Sequence, residues 1–229
     1  MRELYFRSRP IQALVALLFA VVGATLVVAV TSVAHPVALV IGLPLLLSIV
    51  QLCLTPAFRL FGLHRYHSTM LKATIRTPTY YELHGGAVLD YLLTVGRTPF
   101  GPLAARRVMA SYLEGLLDIA EDVERGHLAG SIEIAGTSYF FRETTLQRLG
   151  FTIRRAGWRL RMNLWLHILD VAVLYSISKG HPALPHFERI KTAVIRGDAL
   201  LRRRSAVVSL LEILRRERAS DSAPRAIVA

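Results

Sequence analysis

The chain has 229 residues, 53% of them hydrophobic, with a mean hydropathy of +0.42 and a formal net charge of +12. That hydropathy is high for a soluble protein and assigns part of the chain to lipid, while the positive charge admits either nucleic acid or an anionic leaflet as partner. The single cysteine, Cys53, excludes an internal disulfide framework and any multi-cysteine metal site.

Residues 1–10 form a basic N-terminus carrying Arg2, Arg7 and Arg9. From Pro10 to Phe58 the only ionisable side chains are His35 and Cys53, a run too long for one helix crossing a hydrocarbon core of about 30 Å. The reading is a two-helix transmembrane hairpin over residues 11–55. Ile11–Val33 spans about 34 Å and Val37–Thr55 about 28 Å as helices. They meet in VTSVAHPVAL, where Thr31, Ser32, His35 and Pro36 supply polar groups and a helix stop. Pro44 falls inside the second span, where a kink is tolerated. A signal peptide ending at Ser32-Val33-Ala34 is the rival, but the apolar run exceeds the roughly 7–15 residues of a secretory core. A hairpin buried in a soluble core would need more surrounding protein than the rest of the chain supplies.

Basic residues set the orientation. Arg59, Arg65, Lys72 and Arg76 follow the second span in a juxtamembrane segment, residues 56–76, and the turn holds none. Both termini are therefore expected in the cytoplasm, with the hairpin in a bacterial cytoplasmic membrane and Tyr5, Phe6, Phe58, Phe61 and Tyr66 at its interfaces.

Residues 77–218 read as a mainly helical α+β cytoplasmic domain, and residues 219–229 as a flexible tail. Pro78–Val95 is read as a short connection and a helix, with the strings TPTYYELHGG and GRTPFGP marking turns by their Gly and Pro content. In LAARRVMASYLEGLLDIAEDVERG, Val108, Tyr112, Leu116, Ala120 and Val123 recur at helical spacing, and Gly126 ends the helix. SIEIAGTSYFF, RETTLQRLG and FTIRRAG predict a strand, a short helix and a strand. MNLWLHILDVAVLYSIS predicts one helix, apolar nearly all round, that seeks cover in the core, on a partner or on the membrane. A full third crossing is disfavoured by Asn163, His167 and Asp170. A final helix or helix pair carries Phe187, Ile190, Val194, Leu201, Val208, Leu211 and Leu214, interrupted at Gly197-Asp198, with Asp198 as a cap for its second half.

Candidate chemistry is sparse. His167 and Asp170 stand three apart, with Asn163 one turn earlier, the arrangement of a carboxylate orienting an imidazole, and equally that of a satisfied core pair. His84 and Asp90, six apart, form a weaker pair, and His64 and His67 read as interfacial. Glu114, Asp118, Glu121 and Asp122 read as a solvated face, since the Glu-x-x-His element of di-metal bundles is missing. No Walker, G-x-G-x-x-G or G-x-S-x-G motif is present.

SYFFRETTLQRLGFTI resembles the closing segment of GCN5-related N-acetyltransferases, in which a short helix ending in a Leu-Gly-Phe-like turn leads into a strand. The resemblance covers fewer than twenty residues. It implies a fold that binds the pyrophosphate of acetyl-CoA at a Gly-rich turn between a strand and a helix. No such turn is read upstream, and no catalytic residue is carried over.

The sequence thus reads as a non-catalytic, membrane-anchored accessory or structural subunit of a larger membrane assembly. Arg59, Arg65, Lys72, Arg76, Arg154, Arg155, Arg159 and Arg161 are its lipid-facing cations, and Trp165, His167, Leu169 and Val173 its docking face. Membrane lipids and other membrane subunits are the expected partners. Nucleic acid is disfavoured for lack of aromatic interleaving, and the cofactor is left open. The alternative is a membrane-bound transferase acting on a lipid or acyl donor, centred on His167 and Asp170.

Overall fold

The computed structural model describes residues 8–33, 46–48, 50, 53–138, 141–185 and 190–222. Arg2 and Arg7, the turn at His35 and Pro36, Pro44 with most of the expected second span, Phe187, and the tail from 223 onward lie outside the described residues.

Helix α1 (Arg9–Val33) is long and apolar enough to cross a membrane, and its apolar side chains, among them Leu14, Leu17, Leu18 and Val28, are exposed as a lipid-facing helix requires. A shorter apolar helix, α2 (Leu46–Leu60), touches it where the buried Cys53 meets Gly23: a Cβ on Gly23 would stand 2.8 Å from the Cys53 sulfur.

The rest is a helix-and-sheet domain. Its sheet has six strands, β1 (Arg65–Tyr66), β2 (Leu71–Thr77), β3 (Tyr80–Gly85), β4 (Glu133–Ser138), β5 (Thr152–Arg155) and β6 (Lys191–Arg196), in the order β1-β2-β3-β4-β6-β5. All neighbours are antiparallel except β3 and β4. That parallel pair requires a crossover, supplied by α3 (Val88–Val95) and α4 (Pro102–Glu124). Helix α5 (Glu143–Arg148) links β4 to β5, α6 (Trp158–Leu166) and α7 (Ile168–Lys179) precede β6, and α8 (Gly197–Arg202) and α9 (Arg204–Ser222) close the chain.

Alternation along the strands sorts their side chains to two faces. Leu71 and Ala73 on β2, Tyr81 and Leu83 on β3, Ile134 on β4, and Ala193 and Ile195 on β6 enter one core with Leu113, Leu116, Ile119, Ala120 and Val123 of α4. Helix α4 is the helix expected from its apolar stripe, and it ends as read, with Gly126 in the left-handed region at φ 75°. A second core joins Tyr91 and Val95 of α3 and Val108 of α4 to Leu174 and Ile177 of α7, and the Tyr91 hydroxyl bonds the Ser178 hydroxyl there.

Helix α4 lies close on β2 at Gly115, where an added Cβ would fall 2.7 Å from Leu71 Cβ and 2.8 Å from its Cδ2. Gly115→Ala is therefore expected to lower the unfolding midpoint. Overpacking of about 1–3 kcal/mol exceeds the roughly 1 kcal/mol that alanine returns in helix propensity. Urea titration of both proteins in the same detergent measures the sign.

Four readings are corrected. Pro78–Val95 is not a connection and a helix: its first half is β3, hairpin-paired to β2, and only Val88–Val95 is helical. The segment 56–76 supplies β1 and β2 to the sheet. The apolar MNLWLHILDVAVLYSIS is two helices, broken at His167 with an 80° bend. Residues 191–196 are the strand β6 rather than part of a terminal helix, and Asp198 lies in the first turn of α8, ion-paired to Arg196 and Arg202 instead of capping it. The missed strands are short, six or seven residues each, and β6 carries a continuous apolar run, Ala193-Val194-Ile195, that fits a helix as well as a strand.

Candidate active site

Pairing between the parallel strands runs from Tyr80↔Glu133 to Leu83↔Gly136 and then stops. Beyond that point β3 turns at Gly85–Gly86 into α3, while Thr137 and Ser138 of β4 remain paired to β6 alone. The sheet is forked. The turn at Gly85–Gly86, at the end of the string read as a turn, joins a strand to a helix, and it is the strand before it that the reading lacked. A Cβ on Gly85 would fall 2.5 Å from the Tyr112 hydroxyl, so a larger residue there would have to displace that ring.

Leu83, His84, Gly85, Gly136 and Thr137 line cavities on both faces of the fork. The α4 side holds a small apolar cavity of about 60 Å³, bordered by Tyr112, Phe141 and Phe151. On the other face lies a cleft of about 720 Å³, between the sheet and the α6–α7 elbow.

One wall of the cleft is polar and comes from the strands: Lys72 of β2, Tyr80, Glu82 and His84 of β3, and His64 just before β1. Glu82 Oε2 lies 3.8 Å from His84 Nε2, because residues two apart on a strand share a face. The His64 ring stands 6.0 Å from that of His84, and its Nδ1 is 3.0 Å from the Thr74 hydroxyl. Burial, aided by the charges of Lys72 and His84, lowers His64 to about 4, so it is a neutral imidazole at neutral pH.

Beneath the cleft, Asp90 is fully buried, 3.6 Å from Arg59, and accepts hydrogen bonds from the Ala87 N–H (3.1 Å) and the Tyr66 hydroxyl (3.4 Å). Arg59 stacks 4.2 Å over the Tyr66 ring. Burial pushes the Asp90 carboxyl up and the Lys72 ammonium down, each resisted by the other's charge.

The opposite wall is the elbow. Asn163, His167 and Asp170 all line the cleft from it, so the residues picked out in the sequence do converge, although across a helix break. His167 Nδ1 is 3.7 Å from Asp170 Oδ2, longer than a hydrogen bond, and both atoms are buried. Burial raises the Asp170 carboxyl, with His167 and the Ser48 hydroxyl of α2 opposing. His84 and Asp90 make no pair with each other: one lines the cleft and the other lies below it.

Of the cations expected to face lipid, Arg59 and Lys72 are turned inward and Arg65 is held by Asp122 at 2.6 Å. Arg154, Arg155 and Arg161 are exposed, and the side chains of Arg76 and Arg159 lie outside the described residues. Trp165, Leu169 and Val173 are exposed on the elbow, whereas His167 faces the cleft.

A second polar cluster lies against α4. His67 Nδ1 is 2.7 Å from Asp118 Oδ2 and its Nε2 is 2.6 Å from the Tyr81 hydroxyl. The carboxylate can only accept, so Nδ1 carries the proton and Nε2 accepts from Tyr81. Burial fits this assignment, lowering His67 and pushing Tyr81 up to about 12. With Asp122, His67 and Asp118 place three possible ligand atoms within 4.8 Å of one another. Arg65 is ion-paired to Asp122 and the neutral imidazole donates its N–H to Asp118, so the cluster serves as a pin between the sheet and α4. Asp118 and Asp122 are thus not a purely solvated face, and His67 is buried rather than interfacial.

Both shifted histidines favour the neutral ring in the folded state. Their contribution is complete above pH 6.5 and shrinks as the pH falls toward about 4 for His64. The urea midpoint is expected to drop over that window. Asp90 and Asp170, shifted upward, act in the opposite sense, so comparison with His64→Gln, which should flatten the profile, isolates the histidine.

Fold and cleft define a helix-and-sheet domain whose mixed sheet has one forked parallel pair, attached to an apolar helix of membrane-crossing length. Comparisons with protein-family models, curated proteins and solved structures give no match.

Proposed function

We propose that this chain is a membrane-attached acyltransferase that takes its acyl group from a thioester held at the fork between β3 and β4. The observation that carries this reading is the fork itself, because strands that part in mid-sheet open their facing amides to a ligand bearing amides of its own. Support comes from the segment that resembles GCN5-related N-acetyltransferases. It begins at Ser138, the last residue of β4, and supplies α5, a turn with Gly150 at φ 90°, and the start of β5. His84, backed by Glu82, is the base. The acceptor's N–H or O–H attacks the thioester carbonyl carbon, the new C–N or C–O bond forms, the C–S bond breaks, and the acceptor's proton passes to His84 and on to the departing thiolate.

The chain is held by α1, with the apolar run Val37–Thr55 as the second crossing. Both termini lie on the cytoplasmic side of a bacterial membrane, where acyl thioesters are made. The arginines flanking these segments support that sidedness.

The test is binding and consumption of acetyl-CoA and longer acyl-CoAs by the full chain in mild detergent, read by calorimetry and by free-thiol release. Saturable binding with thiol release is the expected result. Absence of both would overturn the reading in favour of an accessory subunit. The exposed Trp165, Leu169 and Val173 favour that second reading, which predicts a stoichiometric protein partner in native purification.

A further inference from the structure

We infer that the α6–α7 elbow lies in the headgroup layer of the bilayer and that the acceptor is a membrane amphiphile, its hydroxyl- or amine-bearing head entering the cleft from the lipid. This rests on the acyltransferase reading and adds the acceptor's class to it.

Helix α6 has two faces with different tasks. Leu160, Asn163 and Leu164 line the cleft, while Trp158, Met162 and Trp165, at spacings of four and three, are 66%, 54% and 61% exposed. Two tryptophans on the outer face of a cleft wall are the side chains that favour a membrane interface, with an apolar ring and a polar N–H. Arg155 and Arg161, exposed beside them, complement an anionic leaflet. The elbow is also continuous with the apolar helices: Ser48 of α2 lies by Asp170 of α7, and Cys53 of α2 lies against Gly23 of α1. The cleft itself is amphipathic. Leu164, Val171 and Leu174 line it on the elbow side and His64, Lys72 and His84 on the sheet side, which matches a molecule with a polar head and an apolar body.

Trp158 and Trp165 are the two tryptophans of the chain, so intrinsic fluorescence reports on α6 alone. In proteoliposomes of the full chain, lipids brominated near the head of the acyl chain should quench this emission, and aqueous iodide should not. Quenching by iodide, or by neither agent as under a protein cover, overturns the proposal. In the second arm, acyl-CoA consumption is compared with phosphatidylethanolamine or phosphatidylglycerol vesicles and with the matching water-soluble head groups. Vesicles should be faster by about tenfold or more, since confinement raises the acceptor's effective concentration. Equal rates overturn the lipid acceptor and leave the acyltransferase standing. No thioester binding in either arm removes the acyltransferase, and the acceptor assignment with it.

Discussion

His84→Ala is expected to slow thioester consumption by about 10²–10⁴-fold while leaving acyl-CoA affinity and the unfolding midpoint close to those of the parent. His84 lines the cleft at the point where β3 and β4 separate, and it takes part in neither hydrophobic core. Its replacement removes a proton acceptor without leaving a cavity among packed apolar groups. Glu82→Gln should give a smaller loss, because the carboxylate 3.8 Å away acts through the ring and not on the substrate. A positioning role would show as a displaced pH profile of turnover with KM little changed. Asp170→Asn separates this site from the pair that the sequence favoured. Undiminished turnover in that variant places the chemistry on the strand side of the cleft, whereas a loss matching that of His84→Ala would move it to the elbow.

The largest expected loss of stability belongs to Asp90→Ala, about 3–5 kcal/mol. Asp90 is the carboxylate that answers Arg59 and the buried Lys72, and it also accepts the Ala87 N–H at the start of α3. Truncation leaves an arginine that cannot deprotonate facing a buried ammonium across an empty site. Lys72→Met should be far less costly, and in the Asp90→Ala background it should recover part of the loss, because one of two uncompensated charges is then gone. Simple additivity of the two substitutions in urea unfolding would show that Lys72 and Asp90 are not coupled. The same cluster explains why two cations expected to face lipid are directed inward. A strand places alternate residues on opposite faces, and Lys72 falls on the cleft side of β2 between two residues of the core, Leu71 and Ala73.

What the sequence determined by itself is the part governed by local periodicity and by transfer to an apolar medium. The 25-residue α1, the stripe and stop of α4, and the strand, helix and strand around α5 are legible because each repeats its signal at its own period. His167, Asp170 and Asn163 were likewise found by spacing, and they do share one cleft. Only the tertiary structure decided that the cleft's other wall is built from His64, Lys72, Glu82 and His84. All but His64 come from short strands whose hairpin turns at Pro78-Thr79 without a glycine or asparagine to announce it. Their convergence depends on the antiparallel register that sets Lys72 opposite His84 and Thr74 opposite Glu82, and the fork beside them on a parallel pairing between residues some fifty positions apart. No local pattern encodes where that pairing stops, because the fork is set by the packing of α3 and α4 over the sheet.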